Sequence, residues 1–462
     1  MPQLRHITSI NDLSVGEIET IFALAQKYLK DLRDANIAYR IARSIDAAQG
    51  SILATLFYEP STRTRLSFET AMIRLGGKSI SSADPATSSA AKGESLADTV
   101  RVASNYADVL VIRHPRDGAA KLASTYANVP VINGGDGAHE HPTQTLCDLF
   151  TLRQEGKNLK NLNVAISGDL RGSRTIHSFV YALARFRANI LMMPAKGMEL
   201  PEHVDWRLRN EFKCYIVPRE KYEKDNASVD ALYKTSNKPH QLALIPDAEL
   251  KVKKSIDAMY VTRFQKERWS ESAENYPTVD SRYLKDRKFS KTRILHPLPR
   301  VNELDITLDS DPRAAYFRQA AYGVPIRMAL ISLILGLGGE YSLKRFEGGY
   351  DGEEHAQYDQ APDTGMRCVN KNCIVHDPSE GRYARNRFHL IGENRIRCFY
   401  CDADAEGFAV ASKKTKHYEA GTTRLREMLE RNGRDVVLYA RDSDAEESGY
   451  TLPKRRRKAA NA

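Results

Sequence analysis

Five apolar side chains, Ile18, Ile21, Phe22, Ala25 and Leu29, recur at helical spacing just after Ser14 and Glu17. Ser and Glu three apart form a capping-box pattern, so an amphipathic helix is predicted near the start. From there to about residue 340 the pattern alternates. The short apolar runs SILATLFYE, DVLVIRHP, VPVINGG, NVAISGDL, NILMMP, CYIVP, DAMYVTRF and RILHPLP read as strands, mostly separated by helical stretches. That alternation predicts an α/β fold built on parallel sheets. A span of this size is expected to form two domains. One covers residues 1–145 and is completed by a helix at about 318–339; the other covers 146–317. The helix beginning HPTQTLCDLF stands at the crossing.

Residues 340–365, EYSLKRFEGGYDGEEHAQYDQAPDTG, are polar and aperiodic and read as a linker. A small cysteine-bearing unit is expected over 366–412. An extension, 413–462, carries one helical pattern, TTRLREMLERNG, and a basic tail.

Composition narrows the class. The 462 residues, 42% hydrophobic, suffice for two or three cores. No apolar run approaches the roughly 20 residues that span a bilayer, and the N-terminus lacks a secretory pattern. A cytoplasmic protein with no membrane partner is expected. The net charge is +10, but Lys454, Arg455, Arg456, Arg457 and Lys458 supply half of it. That run reads as a solvated end, with contact to RNA or another polyanion as the alternative. Cys147 and Cys214 read as lone core thiols.

Chemistry concentrates in FYEPSTRTRLSFETAMIRLGG, Phe57 to Gly77. A strand runs through polar residues into a helix, whose unpaired N–H groups and dipole favour an anion. Ser61, Thr62 and Thr64 add hydroxyl donors, and Arg63 adds a fork suited to phosphate oxygens. Phe68, Met72 and Leu75 hold the helix to the core. Ordinary capping accounts for one hydroxyl but not for two arginines. The stretch therefore predicts a phosphate or oxyanion site.

STRTR after a strand also resembles the carbamoyl-phosphate motif of the aspartate and ornithine carbamoyltransferases. Further segments resemble that family in order: VIRHPRDGAAKLA, NGGDGAHEHPTQTLCDLFTL, ISGDLRGSRTIHSF, YVTRFQKER and HPLPRVNEL. The resemblance implies the carbamoyltransferase fold, with a carbamoyl-phosphate-binding domain first and an aspartate-binding domain second. HPLPR resembles the aspartate enzymes, and Arg263 with Gln265 suits an anionic acceptor rather than ornithine. SSAAKGESLADT resembles the mobile loop that reaches a neighbouring subunit's site, with Ser88 and Lys92 at its functional positions. By resemblance, Thr64, Arg113 and His141 donate to the carbamoyl oxygen, with His141 neutral. Ser61, Thr62, Arg63 and Arg113 hold phosphate, joined by Ser88 and Lys92 from an adjacent chain. Gln144 and the backbone of Pro297 and Leu298 fix the carbamoyl amino group. Arg174, Arg263 and Gln265, with Lys92, hold the aspartate carboxylates. Glu59, Glu267 and Arg268 resemble residues whose salt links join the domains on closure. The polar stretch over 217–253 is longer than the family's connection there.

Cys368 and Cys373 have four residues between them, Cys398 and Cys401 have two, and twenty-four separate the pairs. Two such knuckles can close a tetrahedral Zn²⁺ site with no open position, hence structural. His376 is a nearby alternative ligand. The unit resembles the zinc domain of the aspartate carbamoyltransferase regulatory chain, here fused to the catalytic chain. Too few residues precede it for that chain's nucleotide domain, so no CTP or ATP site of that kind is expected. The expected substrates are carbamoyl phosphate and L-aspartate, and the expected assembly is a homotrimer or a dimer of trimers with shared sites. No organic cofactor is expected. Two rival readings are a carbamoyltransferase for another amine, and a nucleic-acid binder using Arg382, Arg385, Arg387, Arg395 and Arg397 on an inactive scaffold.

Overall fold

The computed structural model describes residues 4–34, 46–82, 89–217, 231–235, 256–266, 276–343, 357–360, 365–392, 394–420, 425–432 and 435–453. Ser88, Glu267, Arg268, most of the 217–253 stretch and the basic tail lie outside them. The predicted capping box is present: Glu17 accepts from the Ser14 N–H at 2.8 Å, and Ser14 Oγ accepts from the Glu17 N–H at 3.2 Å. It starts α1, Val15–Asp34.

The first sheet joins β1 (Ile52–Phe57), β2 (Lys78–Ser82), β3 (Val109–His114) and β4 (Val131–Asp136) in the order β2-β1-β3-β4, all parallel. Parallel strands are covered on both faces and so read as continuous apolar runs. The edge strand β2, sequence KSISS and largely exposed, carries no such run and does not register as a strand in the sequence pattern. Three helices alternate with these strands: α2 (Thr62–Arg74), α3 (Leu96–Ala103) and α4 (Ala119–Tyr126). Phe68, Met72 and Leu75 are fully buried beneath α2.

Helix α5 (Pro142–Gln154) leads to the second sheet. Its strands are β5 (Asn163–Gly168), β6 (Asn189–Pro194), β7 (Cys214–Val217), β8 (Ala231–Thr235), β9 (Ala258–Val261) and β10 (Arg293–Leu295). The order is β10-β9-β5-β6-β8-β7. Five strands run in one direction, and β8 alone is opposed, antiparallel to both β6 and β7. The strand pattern read from the sequence, which places none wholly within 217–253, is corrected at this point, because ALYKT inside that stretch is a sheet strand. Helices α6 (Arg174–Arg185) and α7 (Glu202–Asn210) cover this domain. The chain then returns through α8 (Tyr316–Ile334), which packs on α1, α2 and α5.

The linker expectation is also corrected. Gln357–Gln360 form β11, which pairs antiparallel with β12 (Asn386–Leu390). Then β13 (Arg395–Cys398) and β14 (Asp404–Glu406) complete a four-stranded sheet. A second small sheet follows in the order β16-β15-β17, from β15 (Ala409–Ser412), β16 (Tyr418–Glu419) and β17 (Val436–Tyr439). It is flanked by α9 (Leu425–Asn432) and α10 (Asp442–Glu447). The two sheets share a core of Phe388, Ile396, Val410 and Leu438, so the extension is folded onto the cysteine unit.

The cysteine unit docks on the first domain through one shared apolar cluster that includes Leu96, Val100, Leu122, Ile374 and Tyr400. Main-chain bonds bracket Asp117, whose N–H meets the Asn372 carbonyl at 3.1 Å and whose carbonyl meets the Ile374 N–H at 2.9 Å. The buried Glu380 carboxylate accepts from the Leu96 N–H at the start of α3. Gly118 has φ +81°, and a Cβ there would lie 2.6 Å from the Tyr400 main chain. Gly118→Ala is expected to destabilise this docking by about 1–3 kcal/mol, as overpacking does, lowering the urea midpoint. An unchanged midpoint would show that the contact is not close.

Candidate functional site

One cavity of about 640 Å³ lies between the two domains. Its walls include Ser61, Thr62, Arg63, Thr64, Arg113, His141, Gln144, Arg174, Arg263, Gln265, Pro297 and Leu298. The sequence-predicted residues of both domains therefore meet in one place. Lys92 lies outside this wall and is exposed, at the end of a short turn Ser89–Lys92.

Ser61 caps α2 with extended backbone, φ −159°, yet makes no side-chain capping bond, and the first turn holds no acid. The first helical bond runs from the Arg65 N–H to the Ser61 carbonyl. The N–H groups of Thr62, Arg63 and Thr64 thus stand outside the helix's own ladder, as an anion site requires. Burial, and then the charge of Arg263 across the cavity, makes Arg63 hold its proton less firmly than usual. An anion between the two arginines would relieve that repulsion.

Arg113 projects from the end of β3 and Arg174 from the first turn of α6. Both meet Glu59, at 3.5 Å and 2.8 Å. Arg113 also donates to the Gly134 carbonyl at 3.1 Å, and Arg174 to the Gly137 carbonyl at 2.8 Å. Glu59 belongs to the first domain and Arg174 to the second, so this pair links the domains.

His141 caps α5 and is buried, its main-chain N–H donating to Ser178 Oγ at 2.8 Å. Burial first, then Arg113, Arg174 and Arg327, hold its pKa well below the ordinary histidine value. It is a neutral imidazole at physiological pH. Thr143 Oγ1 lies 3.4 Å from Nδ1, and a hydroxyl donating there leaves the proton on Nε2, free to be given to a ligand oxygen.

Several residues of the site were not singled out from the sequence. Asp148 supports Gln144 from below the cavity, and Gln319, itself in the wall, bonds the same Asp148 oxygen. Arg327 lines the cavity and donates to Ser67 Oγ at 3.0 Å. Its signal was a lone arginine in the apolar run VPIRMALISLIL. Asp148 follows Gln144 by four, one helical turn along the same face, and that spacing was legible too. His296 opens HPLPR; it is buried and accepts from the Leu298 N–H at 2.8 Å, which folds the turn at the cavity wall.

The four cysteines Cys368, Cys373, Cys398 and Cys401 converge as buried free thiols, all sulfurs within 4.8 Å of one another. The pairs Cys368–Cys401 and Cys373–Cys398 stand 3.5 Å and 3.8 Å apart. A tetrahedron with metal–sulfur bonds of about 2.3 Å has edges of about 3.8 Å, so the donors fit a structural metal. His376 Nε2 instead lies 2.7 Å from the Cys368 carbonyl. Asp402, next to Cys401, has φ +59° and meets Arg207 at 3.0 Å and His139 at 3.4 Å. Burial opposes charge on His139, but Asp136 and Asp402 outweigh it and keep that ring protonated. Arg387 pairs with Asp359, Arg395 with Asp404, and Arg397 with Glu211. Three of the five arginines of the nucleic-acid reading are thus engaged within the protein.

Two α/β domains that meet at a cavity lined by Arg63, Arg113, Arg174 and Arg263 suit an enzyme acting on anionic groups. Comparison with known proteins specifies which. The aspartate/ornithine carbamoyltransferase carbamoyl-P binding domain matches residues 5–154, and the family's Asp/Orn binding domain matches 160–334. The chain belongs to this family. The metal-binding domain of the aspartate carbamoyltransferase regulatory chain matches residues 364–410. The aspartate carbamoyltransferase catalytic subunit of Thermoplasma acidophilum is 43% identical over 337 residues, 72% of this chain and 98% of that protein. That of Clostridium kluyveri is 41% identical over 339 residues, again 72% and 98%. Among solved structures, the catalytic subunit of M. jannaschii aspartate transcarbamoylase is 39% identical with TM-score 0.56, covering 72% of this chain and 98% of that one. The Trypanosoma cruzi enzyme in complex with carbamoyl phosphate and aspartate is 34% identical with TM-score 0.57, covering 71% and 94%.

Buried His114 and half-buried His6 make folding pH-dependent. Burial pulls His6 and His114 down to about 4. The unfolded chain takes up these protons near pH 6.5, while the folded chain refuses them until about pH 4. Stability is therefore expected to fall as pH drops from about 6.5 towards 4, by up to about 1.4 kcal/mol per pH unit for each such histidine. Urea midpoints at pH 7.5 and 5.0 test this; equal midpoints would contradict the burial of both rings as neutral groups.

Proposed function

We propose that this chain catalyses transfer of the carbamoyl group from carbamoyl phosphate to L-aspartate, an early step of pyrimidine synthesis. The observation that carries the reading is the single cavity joining the α2 start and Arg113 to Arg174, Arg263 and Gln265. In this reading the α2 N-terminus with Ser61, Thr62, Arg63 and Arg113 binds the phosphate. Arg174, Arg263 and Gln265 bind the two carboxylates of aspartate. The aspartate amine attacks the carbamoyl carbon, the C–O bond to phosphate breaks, and phosphate leaves with the electron pair. Negative charge gathers on the carbamoyl oxygen, towards which Thr64, Arg113 and neutral His141 donate. Catalysis is then mostly positioning and electrostatic stabilisation. The departing phosphate accepts the amine's proton.

The metal of the four-cysteine site is zinc in this proposal, holding the docked unit in shape. Ser88 and Lys92 act from a second copy of the chain in a homotrimer. The exposure of Lys92 away from its own cavity supports that role. So do the exposed Ile73, Ile80 and Tyr106 on and near α2, β2 and α3, at 57%, 44% and 62%. No helix among the described residues is long and apolar enough to cross a membrane, in keeping with a cytoplasmic enzyme.

Phosphate release is expected with carbamoyl phosphate and aspartate, with carbamoyl aspartate formed, and not with ornithine. Release with ornithine alone would overturn the acceptor assignment. Lys92→Ala and Arg63→Ala chains, each inactive alone, are expected to regain part of the activity when unfolded and refolded together; no recovery argues against a shared site. Chelation of the metal is expected to loosen the cysteine unit, seen as hydrogen exchange at Leu96, Asp117 and Ile374. Unchanged protection with the metal removed would contradict the structural role.

A further inference from the structure

Asp148 lies on α5 and is fully buried. One of its oxygens, Oδ1, accepts from Gln144 Nε2 at 2.7 Å and from Gln319 Nε2 at 2.6 Å. The other, Oδ2, accepts from the Tyr260 hydroxyl at 3.0 Å. Taking two NH₂ donors, Oδ1 acts as an acceptor whether or not Oδ2 carries a proton. It therefore makes both amides turn their NH₂ groups inward and their carbonyl oxygens outward. The outward oxygen of Gln319 accepts from the His296 main-chain N–H at 3.0 Å, at the head of the Pro297–Leu298 turn. The outward oxygen of Gln144 is left for the cavity, whose wall that residue forms. Burial pushes the Asp148 carboxyl up to about 7, while its three donors and nearby Arg327 work against that rise.

Resting on the carbamoyltransferase reading, we propose that Asp148 is the positioning residue that makes the cavity select a carbamoyl group. It aims the Gln144 carbonyl oxygen directly, and the carbonyls of Pro297 and Leu298 through Gln319 and His296, at the carbamoyl NH₂. Acetyl phosphate has the same phosphate but a methyl group in place of NH₂. It can use the anion site and gains nothing from those acceptors. An Asp148→Leu variant keeps the size of the carboxylate but offers no oxygen, so neither glutamine NH₂ finds its acceptor and neither amide is held with its carbonyl outward.

The test measures the affinity of the full, metal-loaded chain for carbamoyl phosphate, acetyl phosphate and inorganic phosphate. Asp148→Leu is expected to weaken carbamoyl phosphate about tenfold, the loss of one aligned hydrogen bond. Acetyl phosphate and phosphate should stay within about twofold. A uniform loss of all three ligands, or an unchanged carbamoyl-to-acetyl ratio, would overturn the proposal. If Asp148→Leu does not fold, Gln319→Met decides, because it cuts one arm only. A selective loss of about threefold supports the proposal, and no selective loss sinks it. A wild-type chain that does not prefer carbamoyl over acetyl phosphate would instead sink the carbamoyltransferase reading itself.

Discussion

The Glu59 carboxylate stands between two guanidiniums, Arg113 at 3.5 Å and Arg174 at 2.8 Å, and the cavity is arranged around that contact. Two guanidiniums that share one carboxylate would repel each other without it. Without a counter-charge the two domains would be pushed apart where they must meet. Glu59 supplies one from the loop after β1, and carbonyls of Gly134 and Gly137 take further donors. The arginines are thereby aimed before any ligand arrives. An incoming anion finds forks already oriented, and less ordering entropy is lost on binding.

Those carbonyls have to be held as firmly as the arginines. The loop between β4 and α5 is fixed from three sides. Asp136 accepts from the Gly118 N–H and Asn133 Nδ2, both at 2.8 Å. Buried Glu140 accepts from the Ile10 N–H and from Ser178 Oγ of the second domain, both at 2.9 Å. His139 reaches Asp402 of the cysteine unit. Gly135, at φ +111°, leaves room for Arg174, whose Nε a Cβ would approach to 2.9 Å. Three parts of the chain thus fix the seven residues that end at His141.

Much of this was legible in the sequence because it rests on local rules. Capping chemistry announced α1, continuous apolar runs announced the parallel strands, and cysteine spacing announced the metal site. STRTR and the segments after it located the cavity wall. What stayed hidden depends on partners distant in the chain. ALYKT and QYDQ are strands because β6, β7 and β12 offer them edges. QYDQ has one apolar residue, Tyr358, and no alternation to announce it. The roles of Asp148 and Gln319 are 171 residues apart in sequence and exist only once α8 has crossed back over α5. Glu140 could not be told from its neighbours until Ser9 and Ile10 closed on it.

Fusion alters what the cysteine unit can do. A separate docking chain binds according to its concentration, whereas a tethered one meets its site at an effective concentration set by a short linker, in the millimolar range. A contact of modest intrinsic strength then stays formed. That matters because the contact is partly ionic: Arg397–Glu211 at 2.6 Å and Arg207–Asp402 at 3.0 Å reach the second domain, while Asp117 and Glu380 serve the first. Desolvated ion pairs add little net stability but fix geometry, since either partner alone would be left as an uncompensated buried charge. Asp402 is the point where this geometry meets the four-cysteine site. Its left-handed backbone conformation is set by the turn that carries Cys398 and Cys401, and its carboxylate ends on His139, two residues before His141. The order of the cysteine knuckle thereby reaches the loop that ends at His141, both through Asp402 and through Asn370, Asp117 and the Ala138 N–H.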